Sequence, residues 1–170
     1  MSASNVSNGC PGPSARRFLL QSLLACVAII GIMLVLDLIL HTAIVTSLGA
    51  TTFIAFAMPS APSAQPRRLV GGYVVGGLAG LLCCYAAGWL PRLSPAVDAH
   101  TVQIVLAGIA VGLASWLMVT LHVEHPPAAG FALGLVLDTW TLSTLAFVTG
   151  AVLLISALRL GLRSLLADLA

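Results

Sequence analysis

A chain of 170 residues that is 59% hydrophobic and 7% charged, with a mean hydropathy of +1.09, is excluded from the ordinary soluble domains and reads as a polytopic membrane protein. The net charge of +2 rests on arginines near the ends of apolar runs, so it orients the chain in a bilayer and gives no surface for nucleic acid. Four cysteines, Cys10, Cys26 and the adjacent Cys83 and Cys84, have neither metal-binding nor redox spacing and read as small apolar fillers.

In chain order, residues 1–17 are rich in Ser, Asn, Gly and Pro, have too little apolar surface to fold alone, and are expected to form a disordered cytoplasmic tail. Residues 18–165 are expected to form one transmembrane domain. The apolar run from Phe18 to Leu40 is too long for a signal-peptide core and predicts a retained spanning helix. Asp37 and His41, four apart near its end, fall on one helical face within hydrogen-bonding reach. Solvation of both at the interface is the alternative.

Thr42 to Met58 is a shorter apolar run, closed by the proline-rich stretch from Pro59 to Arg68. Leu69 to Leu90 is a full span, and Gly72, Gly76 and Gly80 give it a flat face where a neighbouring backbone can approach. A polar connection from Pro91 to Thr101 leads to the span Val102 to Leu121, where Gly108 and Gly112 repeat the same spacing.

The costliest stretch follows. His122, Glu124 and His125 lie within four positions of a membrane-like sequence, which makes function the default reading, and Pro126 and Pro127 break the helix there. One helix should stop near Glu124 and another start near Pro126. The apolar run from Ala128 to Leu137 is about half the ~20 residues a helical crossing needs, so it reads as a half-helix. Asp138, Thr139 and Trp140 supply a turn, an N-cap candidate and an interfacial aromatic, and Leu142 to Leu158 is the last span.

Counting each short segment as a crossing gives about six crossings. Arg16, Arg17, Arg67, Arg68, Arg159 and Arg163 then share one side, cytoplasmic by the positive-inside rule, with Arg92 opposite. The order long, short, long occurs twice, and an odd number of crossings inverts the second unit. The predicted fold is an all-α transmembrane bundle with short or broken segments and an inverted 3+3 repeat.

The residues His125-Pro126-Pro127-Ala128, the run Gly49-Ala50-Thr51 and the loop Ser60 to Arg67 together resemble the HPP family of integral membrane proteins, from the spanning helix at Phe18 onward. That family usually carries Gly-Ala-Thr after the second proline, where this chain has Ala129-Gly130-Phe131. Members in chloroplasts and cyanobacteria are associated with nitrite transport, so the resemblance implies nitrite as a candidate substrate.

A transporter or channel for a small anion is therefore expected, not an enzyme, in a bacterial plasma membrane. Gly49, Thr51, Ala128, Ala129 and Gly130 would expose backbone donors at the N-terminal ends of two short segments facing one cavity, and His125 would add a donor and a charge. Asp37, His41, His122 and Glu124 would relay protons. The expected partners are the bilayer, the anion and further copies of the chain, with no cofactor and no metal. Two other classes stay open. One is a membrane metalloenzyme using His122, Glu124 and His125; the other is a scaffold whose glycine faces serve assembly alone.

Overall fold

The computed structural model describes residues 42–93 and 98–168. The tail, the helix expected over 18–40, Asp37 and His41 lie outside the described residues. Among the described residues there are five α-helices, α1 (Thr42–Ala57), α2 (Pro66–Leu93), α3 (Ala99–Thr120), α4 (Pro126–Leu137) and α5 (Leu142–Gly161), with one 3-10 turn, Pro62–Ala64, before α2. Among the described residues there is no strand. Three helices, α2, α3 and α5, are long and apolar enough to cross a membrane, while α1 and α4 are short.

Successive helices run in opposite directions. At one end, Arg159 at the close of α5 donates from Nη2 to the Pro59 carbonyl at 2.7 Å, and Asp168 accepts from the Ser60 N–H at 2.9 Å. Arg68 at the start of α2 meets Glu124, just before α4, at 2.8 Å. Arg67, Arg68 and Arg159 therefore share an end, as the charge pattern predicts. At the other end, the Asp138 carboxylate after α4 accepts from the N–H of Ala43 at 3.2 Å, filling a donor that the first turn of α1 would leave bare.

Helix α4 sits at the centre, with seven of its residues buried, Ala128 and Phe131 among them. Its smallness lets it sit there. Along α2, a Cβ on Gly72 would lie 2.6 Å from His125 Cβ, one on Gly80 would lie 2.8 Å from the Ala132 carbonyl oxygen, and one on Gly76 would overlap the Ala128 carbonyl oxygen. Gly71 and Gly77 add contacts to Val123 and Phe131. The opposite face of α2 exposes Val74, Leu78, Leu82, Tyr85 and Trp89. Its two faces differ in size, not polarity, as befits a helix with lipid on one side and backbone on the other.

Helix α1 runs antiparallel along α4. Gly134 of α4 admits Ile44, whose Cγ1 would stand 2.7 Å from an added Cβ, and Gly130 lies against Ser47. The carbonyls at the C-terminal end of α4 are met by neighbours: Gln103 Nε2 donates to Val136 at 2.8 Å and Trp140 Nε1 to Leu135 at 2.9 Å.

Three sequence expectations are corrected. Helix α3 ends at Thr120, four residues before Glu124. The stop is a Schellman motif, with Val123 N–H on the Met118 carbonyl at 2.9 Å and His122 N–H on that of Val119 at 3.2 Å. His122 takes the left-handed position, φ 56°, that glycine usually fills. Among the described residues, Gly108 and Gly112 meet nothing within 4 Å, because α4 packs on another face of α3. The N-cap of α5 is Thr141, which closes a capping box with Thr144.

At the N-terminus of α3, outside the spans, Asp98 accepts from the N–H and hydroxyl of Thr101 at 2.8 and 3.0 Å. Those bonds, the backbone one foremost, hold its carboxyl below the usual carboxylate value.

Candidate functional site

The break between α3 and α4 is built by two prolines with opposite demands. Pro126 keeps His125 extended, at φ −138° and ψ 91°, while both prolines suit the first turn of α4. His125 is thereby turned inward, against Gly72 of α2, where any side chain would collide with it. It is completely buried.

Both ring nitrogens of His125 have partners at 2.9 Å. Nδ1 faces the Ser63 carbonyl oxygen in the loop before α2, and Nε2 faces the Thr51 hydroxyl of α1. A carbonyl can only accept, so Nδ1 carries a hydrogen. Thr51 Oγ1 also lies 2.9 Å from the Ser47 carbonyl and 2.9 Å from the Tyr73 hydroxyl. Tyr73 donates to Ser47 Oγ at 3.2 Å, and Ser47 Oγ donates to the Ile44 carbonyl at 2.7 Å. The Tyr73 ring lies 5.7 Å from the imidazole, centroid to centroid. His125, Thr51, Ser47 and Tyr73 form one buried network drawing on α1, α2, the 3-10 turn and the break.

Beside it is a cavity lined by Ser115, Met118 and Val119 of α3 and by Glu124, His125, Pro126 and Ala129. Glu124 Oε2 is 2.8 Å from Arg68 Nη1 but makes no aligned hydrogen bond, so this is a charge contact. With both side chains about a third exposed (29% and 35%), it contributes at most about 1 kcal/mol.

Of the residues the sequence singles out, the fold brings together His125 and Thr51, 74 positions apart. Ala129 lines the cavity. Ala128 is buried and its N–H bonds the His125 carbonyl at 2.9 Å, so it is not a free donor. Gly49 and Thr51 lie inside the continuous helix α1, where their N–H groups are engaged. Because α1 and α4 are antiparallel, their N-termini lie at opposite ends, and the expected cavity shared by two N-termini does not form. His122 is exposed, away from the network.

His122, Glu124 and His125 do not converge as ligands. Among the described residues no group of three or more His, Cys, Asp or Glu is placed to hold a metal ion. Cys83 and Cys84 are free thiols within α2.

Ser63 and Tyr73 escape sequence reading. The Ser63 contact is through its carbonyl, which any residue supplies, and Tyr73 lies next to Gly72 without a signal of its own. The hydroxyl that the HPP pattern places after the second proline is absent here, and Thr51 brings a hydroxyl to the histidine from the partner helix.

Helices of this length and composition, packed through glycines and exposing large apolar side chains, define a polytopic α-helical membrane protein. The profile of the HPP transmembrane region matches residues 11–169, and the chain belongs to that family. No curated protein and no solved structure matches it.

Proposed function

We propose that the protein is a transporter or channel for a small inorganic anion, with nitrite the leading candidate and a proton as the coupled ion, and not an enzyme. The observation that carries this reading is His125, a fully buried titratable group with both nitrogens held, beside a cavity in a charge-poor interior. Glu124 is matched by Arg68, so a proton on His125 leaves one unbalanced positive charge there. An anion entering the cavity balances it, and each then favours the other.

Helix lengths support passage through the centre. The 12 residues of α4 rise about 18 Å and the 16 of α1 about 24 Å, less than the ~30 Å hydrocarbon core. The long helices stand around a section thinner than the membrane. The opposite senses of α1 and α4, and of α2 and α5, are those an inverted repeat requires, and on this reading the two halves rock about the short helices. The arginine-bearing end is cytoplasmic.

The test is ion flux in proteoliposomes with nitrite, nitrate, formate and chloride, each with and without a pH gradient. Nitrite flux should rise as the external pH falls. A folded His125→Ala protein should lose at least tenfold, and His125→Gln should keep some flux without the pH dependence. No flux of any of these anions through folded parent protein would leave the scaffold reading in its place.

A further inference from the structure

Thr51 Oγ1 has one hydrogen and three neighbours, and the proton inventory around it is restrictive. The Ser47 carbonyl can only accept, so if its 2.9 Å contact is a hydrogen bond, Thr51 is the donor. The 2.9 Å contact to Nε2 then requires a hydrogen on Nε2. Nδ1 already carries one toward Ser63. The contacts of Thr51 with the Ser47 carbonyl and with Nε2, and of Nδ1 with Ser63, are satisfied at once only by the imidazolium. The Tyr73 ring lies 5.7 Å away, tilted by 42° to the imidazole, and its hydroxyl donates to Ser47 in either state.

Neutral His125 needs one change. Nε2 becomes an acceptor, and the Thr51 hydroxyl rotates from the Ser47 carbonyl to Nε2. That carbonyl keeps its bond from the N–H of Thr51 within the helix, so no buried group is orphaned. One proton is exchanged with water at Nε2 and one hydroxyl turns; no other bond is made or broken.

We propose that Thr51 is the positioning residue for the proton on His125: a two-way hydroxyl that accepts from the imidazolium in one state and donates to the neutral ring in the other. The other groups around the ring leave this role to Thr51. On α2, Arg68 is matched by Glu124 and Tyr73 is a phenol. Across the cavity, α3 offers Ser115 and Met118, and α4 carries no titratable side chain. On α5, Arg159 is turned to Pro59, and His122, in the break itself, is exposed. The proposal rests on the transport reading for its biological use and not for its chemistry.

The experiment is nitrogen NMR of the full chain labelled with 15N-histidine in liposomes, with the His125 signals assigned by their loss in His125→Gln. Parent protein should show the imidazolium at acid pH and the neutral tautomer protonated on Nδ1 above it. A charge-assisted bond is worth more than a neutral one, so Thr51→Val, which keeps the shape and removes the hydroxyl, should weaken proton binding about tenfold, moving the midpoint down by about one pH unit. Thr51→Ser should titrate like the parent. A neutral tautomer protonated on Nε2, or the parent midpoint in Thr51→Val, overturns the proposal. Should Thr51→Val fail to fold, the parent tautomer still decides. Expected titration in vesicles that carry no anion would sink the transport reading alone; flux with an unchanged Thr51→Val titration would sink this one alone.

Discussion

Helices α2 and α3 carry the same signal with opposite outcomes. Gly72, Gly76 and Gly80 of α2 lie against His125, Ala128 and Ala132, whereas Gly108 and Gly112 of α3 meet none of the described residues. Four-residue glycine spacing therefore marks a face that can accept a backbone and does not say whether one is there. What separates them is the face that α4 meets: it lies along the glycines of α2 but packs on α3 away from its glycines. A 12-residue helix, started by two prolines, lies in the α2 groove and carries the buried His125 at its head. The groove on α2 is thus part of the site, since its first glycine touches His125.

The largest effect expected from this difference is at Gly76. Its missing Cβ is replaced by the Ala128 carbonyl, a backbone atom that cannot turn aside, so Gly76→Leu should prevent α4 from seating. Fluorescence size-exclusion should show at least a tenfold loss of folded protein. Normal yield would mean that α4 packs elsewhere.

Gly72→Ala should act more narrowly. The new methyl meets His125 Cβ and the Val123 carbonyl, so the ring must shift from Thr51 and Ser63. A cost of about 1–3 kcal/mol in stability is expected, with the fold kept and anion flux reduced. Thermal unfolding together with flux measures both, and parent-like flux would detach the groove from the site.

Third is His122, at the end of α3. It holds a left-handed conformation that costs a residue with a Cβ roughly 1 kcal/mol, and its exposed side chain takes no part in the buried network. His122→Gly should raise stability by up to about 1 kcal/mol and leave flux and its pH dependence unchanged. Loss of flux would restore His122 as a relay group.

The sequence shows spans, breaks and small faces because each is written in consecutive residues: apolar length, two adjacent prolines, glycines every fourth position. It does not show what those faces meet. Thr51 and His125 touch across 74 residues, and the Asp138 carboxylate caps α1 although it follows α4. The expected role for Gly49 and Thr51 as free backbone donors did not survive because α1 runs unbroken through them. Glycine within an apolar run permits a break without requiring one, whereas Pro126 and Pro127 enforce the break before α4.

The smallest effect is expected at Gly112, and it separates two meanings of an open glycine face. Among the described residues a side chain there meets nothing within 4 Å, and large apolar neighbours such as Ile109 and Trp116 on the same helix are already exposed. Leucine in place of glycine adds apolar surface to a lipid-facing helix and removes the backbone freedom of glycine, so a change in fold stability within about 1 kcal/mol is expected for Gly112→Leu. Its yield and melting should match the parent, in contrast with Gly76→Leu. Assembly is read separately, from particle mass in detergent. An unchanged mass places the α3 face against lipid, whereas a smaller particle of equal stability identifies it as the surface on which a second copy packs.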